Sequence, residues 1–290
     1  MRHLPFLLLF LLAFLSCKKQ ESGTQSSSAG PNLSGNSCYI GKWPSTPVTL
    51  KMSSEFTGDY TNVDIVGGLN PLEQMAKVWN TATTPTTLIN LPFPQTATTG
   101  FSSLSSFRDN EIGIYKSHTW FSGVSSSALA ITQFYGIVKS DPNLLGTYIE
   151  LTHADIIFNY RDFNSQFNFN GGAFYYDVPT VLLHEMGHLL GLCHESVQSS
   201  IMAPNYATKQ RALQDFDSRK IKALYVDNMN ITAMSTNGIS AAPGTEVKGF
   251  VELNSNGKCR HFINGKMVYE HTSAVNSLPA PKWYKNLPLR

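Results

Sequence analysis

Charge is what this sequence has least of. Asp, Glu, Lys and Arg make up 14% of its 290 residues and leave a formal net charge of +2. No block of lysine or arginine interrupts that balance, so nothing electrostatic points to a nucleic-acid partner, and none is expected. Cysteine is scarce, with 4 residues in the whole chain. No internal repeat is apparent, which gives no case for a solenoid or propeller. G-x-S-x-G is absent, leaving a serine hydrolase little support. What remains is a chain long enough for one sizeable domain with a smaller appendage, rich in Ser, Thr, Asn and Gly in the manner of exported proteins.

The N-terminus supports export. Arg2 and His3 precede LPFLLLFLLAFL, a 12-residue apolar run that is short for a bilayer span and suits a signal-peptide core. It ends at Leu15-Ser16-Cys17, then Lys18 and Lys19. A small residue directly before a cysteine resembles a bacterial lipobox, although Phe14 stands where leucine is usual. The resemblance implies a signal peptide over 1–17 and a lipid on Cys17. The protein would then be anchored to the bacterial cell envelope, at the outer membrane or cell surface; an ordinary secretory signal and an uncleaved anchor are the alternatives. Residues 18–37 (KKQESGTQSSSAGPNLSGNS) have almost no apolar side chains and read as a flexible tether.

With Cys17 set aside, Cys38, Cys193 and Cys259 remain, and outside the cytoplasm one disulfide and one leftover thiol are expected. Cys38 and Cys259 lie at opposite ends of the folded region and form the favoured pair.

Hydrophobic periodicity places the elements. Val48 to Ser53, Glu111 to Tyr115, Ala128 to Val138 and Tyr148 to Asn159 read as strands. Asn70-Pro71-Leu72-Glu73 is a helix start, with Asn as cap, Pro first and Glu third, and Leu72, Met75, Ala76 and Trp79 then share one face. Thr81 to Ser106 reads as mostly loop. Asp177-Val178-Pro179-Thr180 opens a second helix, and a third covers roughly Asp215 to Tyr225. Beyond Asn228 short strand-like pieces follow, with Asn264-Gly265 as the turn of a hairpin. The chain therefore divides into a main domain over 38–227 and a small β-rich extension over 228–290.

The segment HEMGHLLGLCHE (184–195) carries the chemistry. His184 and His188, four apart on a helix, project from one face and can share a metal ion. Glu185 sits beside the first ligand, able to reach a water rather than the metal. Gly191 can take positive φ and turn the chain so that His194 comes back as third ligand. A bare H-E-x-x-H occurs by chance in roughly 1 chain in 100 of this length, and the added Gly and His make coincidence several hundredfold rarer.

This segment matches the zinc signature of the metzincin metallopeptidases. Ser200-Ile201-Met202-Ala203-Pro204 resembles their methionine turn. Met202, eight residues beyond His194 and followed by Pro204-Asn205-Tyr206, is most similar to the matrixin family. Lys42-Trp43 with Val48-Thr49-Leu50 resembles a matrixin first strand, and Leu213 to Tyr225 its closing helix. The resemblance implies an α+β metzincin-like domain with a twisted, mostly parallel five-stranded sheet and three helices. It implies one catalytic zinc on His184, His188 and His194, Glu185 as general base, and Met202 as a support below the site. Pro204 and Tyr206 would wall the substrate pocket, with Thr180 a further candidate. A protein or peptide substrate would lie antiparallel along an exposed sheet edge.

The function so implied is a zinc-dependent endopeptidase, expected to be a monomer. The alternative is a membrane-tethered binding or adhesion protein with a structural metal site. Some features depart from the family. Glu195 after the third histidine is closer to astacins. The loop before the zinc helix is short and lacks a histidine-aspartate cluster, so no structural calcium or second zinc is expected. The propeptide motif Pro-Arg-Cys-Gly-x-Pro is absent, which leaves Cys38 either a disulfide partner or a latency switch. His153 reads as structural, and Cys193 as packing or a disulfide partner.

Overall fold

Asn70, Pro71 and Glu73 start a helix as their order predicts. Asn70 Oδ1 accepts the N–H groups of Leu72 at 2.9 Å and Glu73 at 3.0 Å, while Glu73 Oε2 accepts that of Asn70 at 2.8 Å. This reciprocal capping satisfies donors that a helix start otherwise leaves unpaired. The helix, α1 (Pro71–Ala82), buries Leu72, Met75, Ala76 and Trp79. In this computed structural model the described residues are 39–97, 101–141, 146–172, 174–227, 241–255 and 258–272, all within one compact unit, Gly35–Arg290. The signal segment 1–17, Cys17, the tether 18–37 and Cys38 lie outside them. Among the described residues no helix is long and apolar enough to cross a membrane.

Four strands follow the periodicity of the sequence: β1 (Leu50–Met52), β2 (Ile112–Ser117), β3 (Ala128–Asp141) and β4 (Gly146–Asn159). β1 pairs parallel with β2, β2 parallel with β4, and β4 antiparallel with β3. On the far side of β1, Val48 and Met52 bridge in parallel to Ile89 and Gln95. Residues 88–96 thus act as a fifth, outer strand inside the stretch that reads as loop. Pro92 and Pro94 keep this strand fragmentary, because proline has no N–H to donate to a ladder. This part of the sheet is parallel from β1 to β4 with β3 antiparallel, in keeping with the α+β class expected, but the whole is a mixed sheet of seven strands rather than a mostly parallel one of five.

After β4 come a single helical turn, α2 (Tyr160–Phe163), and a two-residue parallel pair, β5 (Phe167–Asn168) with β6 (Tyr176–Asp177). Helix α3 (Val178–Leu189) is buried on every side. Its Leu183 carbonyl accepts the indole N–H of Trp79 at 3.0 Å, and its Leu189 carbonyl that of Trp43 at 2.8 Å. Helix α4 (Asp215–Tyr225) closes the main domain, burying Ile221, Ala223 and Leu224.

The C-terminal strands do not stand apart from this sheet. β7 (Glu246–Asn254), β8 (Lys258–Ile263) and β9 (Lys266–Thr272) continue it in the order β1-β2-β4-β3-β7-β8-β9. The β8–β9 turn is Asn264-Gly265, both at positive φ (50° and 74°), the backbone a tight hairpin requires. Strand pairing across more than a hundred residues leaves no local mark in a sequence, which is why these strands read as an appendage.

Candidate metal centre

Asp177 caps α3, its Oδ2 accepting the N–H of Thr180 at 3.1 Å and the Thr180 hydroxyl at 2.6 Å. The helix then presents His184 and His188 one turn apart. It ends at Gly191, which has φ 98°. A Cβ at that position would lie 2.0 Å from the Gly41 carbonyl oxygen, so the turn needs glycine for conformation and for space. The bend returns His194 to the other two histidines.

The three Nε2 atoms face one another at 2.9 Å (184–188), 3.1 Å (188–194) and 3.2 Å (184–194). Tetrahedral coordination at about 2.0–2.1 Å per nitrogen needs nitrogens roughly 3.3 Å apart, so the triangle is close to the size zinc requires. The far side of each ring is held as well. His184 Nδ1 lies 2.6 Å from the Ile201 carbonyl and His188 Nδ1 2.8 Å from that of Leu192. A carbonyl only accepts, so both Nδ1 atoms carry the hydrogen and both Nε2 lone pairs point inward. Burial pushes His184 down to about 4, so it is neutral and able to ligate. Converging lone pairs in a buried space repel unless a cation joins them, and the donor set fits zinc.

Glu185 is fully buried. Its Oε2 accepts the Thr132 hydroxyl of β3 at 2.6 Å, while Oε1 has no hydrogen-bond partner among the described residues. Burial pushes its carboxyl up to about 8, against the Thr132 bond, which pulls the other way. A carboxylate oxygen left bare in the interior is costly unless a ligand belongs there.

Met202 lies beneath α3. A Cβ on Gly187 would meet Met202 Sδ at 2.2 Å, so the glycine between the histidines makes room for the methionine. Asp217 of α4 braces the turn, accepting the Ile201 N–H at 3.1 Å and the Ser200 hydroxyl. Glu195 points away from the histidines and pairs with buried Lys220. Tyr206 accepts the Asp177 N–H at 3.0 Å through its hydroxyl and packs on Tyr176, which sets residues 204–206 beside the start of α3. Thr180 is committed to Asp177 and to the Gln210 N–H at 2.9 Å. His153 lies elsewhere, buried and 2.7 Å from Asp155.

One expectation is corrected. Cys259 does not pair with Cys38: it is a free buried thiol in β8, directed at the Pro204 carbonyl, with the Asn254 N–H 3.4 Å from its sulfur. The disulfide-bonded residue is Cys193, whose partner lies outside the described residues. β7 pairs along β3 from Ala128 to Ile137, so the side of β3 away from β4 is covered.

Two residues at this centre carry no local signal in the sequence. Thr132 sits beside the equally polar Gln133 in β3, and no spacing sets it apart. His261 of β8 places Nε2 2.8 Å from His194 Nδ1 and so completes the outer support of the third histidine. Its partner is 67 positions away in sequence, and only the sheet order brings the two together.

A helix carrying two histidines, a glycine bend to a third and a methionine turn beneath them define a metzincin-type centre. Residues 108–226 match the family model described as Matrixin. The matched stretch, which holds the three histidines and the methionine turn, is similar to the matrixin-type metzincins. The chain is similar to Metalloendoproteinase 2-MMP of Arabidopsis thaliana, 42% identical over 71 residues, which are 24% of this chain and 18% of that protein. It is similar also to Karilysin of Tannerella forsythia, 35% identical over 75 residues, 26% of this chain and 16% of that protein. The chain thus spans less than a fifth of the length of either relative.

Proposed function

We propose that this protein is a zinc-dependent endopeptidase acting on extended protein or peptide substrates. The observation that carries the reading is the bare Oε1 of Glu185 beside three histidine nitrogens aimed at one point. His184, His188 and His194 would hold the ion, leaving one coordination position open. Zinc, when bound, supplies Lewis acidity towards water and a peptide carbonyl.

The chain's own residues do the rest. Thr132 fixes one oxygen of Glu185 and leaves the other free to accept from a bound water. Burial makes Glu185 a stronger proton acceptor than an exposed glutamate, and a neighbouring cation draws it back towards the range useful at neutral pH. Glu185 takes a proton from the attacking water and delivers it to the leaving amine. Met202 supports the centre from below, and Pro204 with Tyr206 forms the wall of the pocket beyond the scissile bond. Lipid attachment at Cys17, with export to the cell envelope, belongs to the same reading.

One observation favours a second reading, a tethered binding protein with a structural metal: Glu185 and the three histidines are between 0% and 4% exposed. Incubation with a peptide library, with and without chelator, separates the two when cleavage sites and melting temperature are both recorded. Chelator-sensitive cleavage supports the peptidase. Loss of fold on chelation, with no cleavage beforehand, supports the structural metal.

A further inference from the structure

β7 lies antiparallel along the free side of β3, where a peptide added to this sheet would lie. Its far end meets the segment expected to wall the pocket: Asn254 bridges Asn205 in parallel. The strand also crosses directly over the centre. Thr132, opposite Val251 on one side, bonds Glu185; His261, opposite Val251 on the other, bonds His194. Residues in register on neighbouring strands share a face of the sheet, so buried Val251 points towards the metal position between them. Gly249, one step along the same face, sits against Phe134 and the Phe262 carbonyl, where a Cβ would come within 2.5 Å and 2.3 Å. Cys259 and Arg260 pin the hairpin further, one against the Pro204 carbonyl and one on buried Glu252 at 2.7 Å.

We propose that β7, anchored by β8, is an internal occupant of the peptide-binding edge that keeps the centre shut until the hairpin swings away. The proposal rests on the peptidase reading. It accounts for a catalytic glutamate with no exposure in a protein whose substrate must reach it. The apparent KM is then the intrinsic one divided by the fraction of molecules with β7 released.

The test locks the strand in the full-length, zinc-loaded protein. Tyr135 and Lys248 are directly opposed on β3 and β7, so Tyr135→Cys with Lys248→Cys allows a disulfide between them. Cleavage of a quenched peptide is compared in the oxidised and mildly reduced forms, with wild type given the same reductant. Alkylation of Cys259, which is fully buried while the hairpin is docked, reports opening independently of activity and is followed site by site by mass spectrometry. The expected result is at least a tenfold loss of cleavage and slower Cys259 alkylation in the oxidised form, both restored by reduction. In parallel, Gly249→Val loosens the docked strand and lowers the apparent KM with kcat little changed. Equal cleavage by locked and unlocked forms overturns the proposal and leaves the peptidase reading standing. Absence of cleavage in every form, Gly249→Val included, with zinc bound, overturns both.

Discussion

Replacing Gly191 by alanine tests how the third histidine is brought to the metal. The residue has φ 98°, a region that costs an L-residue about 1–2 kcal/mol. The new methyl carbon would stand 2.0 Å from the Gly41 carbonyl oxygen, far inside contact distance, and the Gly191 carbonyl already accepts the Ile40 N–H at 2.7 Å. Neither backbone can yield without breaking that bond, so an overpacking cost of about 1–3 kcal/mol is added. The sum, about 2–5 kcal/mol, corresponds to a drop in Tm of roughly 4–20 °C for a domain of this size. Because the strain falls between His188 and His194, zinc affinity falls as well. Calorimetry of the zinc-free and zinc-loaded forms measures both effects. A variant that melts within about 2 °C of wild type and holds zinc equally well would refute the argument that glycine is required at the bend.

His261→Phe removes the acceptor behind His194 while keeping a planar ring, and zinc affinity measured by chelator competition should fall about 10–100-fold; an unchanged affinity in a folded variant would make His261 a packing residue. Lys220→Leu strips the partner from Glu195, whose carboxyl burial already holds above its usual range. The loss should be about 3–5 kcal/mol at neutral pH. With the folded pKa raised further, stability declines as pH rises from the unfolded value near 4.3 through the folded one, so the variant should be closest to wild type near pH 4 by denaturant titration. A loss independent of pH would count against that cause. Cys17→Ala should move the protein from the detergent phase to the aqueous phase on partitioning, and equal partitioning of the two would argue against lipid attachment.

The parts of this molecule legible in the sequence are those written in short spacings. The Asn70–Glu73 capping box, the His184–His188 pair and the Asn264–Gly265 turn each depend on neighbours within a few residues, and each forms as its pattern predicts. The triad closes because Gly191 supplies a backbone conformation that can be read from residue type alone. What was not legible depends on partners far apart in the chain. Nothing near residue 251 signals that it lies opposite Thr132, and nothing near Cys259 signals that its thiol faces Pro204 instead of another cysteine. Residues 88–96 hide a strand because their prolines erase its alternation. The closed state of the centre follows from the docking of β7 and has no counterpart in the signature of residues 184–195.

Glu185 is the residue on which peptide cleavage depends if the protein is a peptidase. The most direct measurement is the rate of peptide cleavage by wild type and Glu185→Ala, each assayed at matched zinc content determined on the same samples. Both proteins should carry one zinc and only the wild type should cleave, its activity lost on chelation and regained on zinc addition. Equal cleavage by the two zinc-loaded proteins would contradict that role for Glu185.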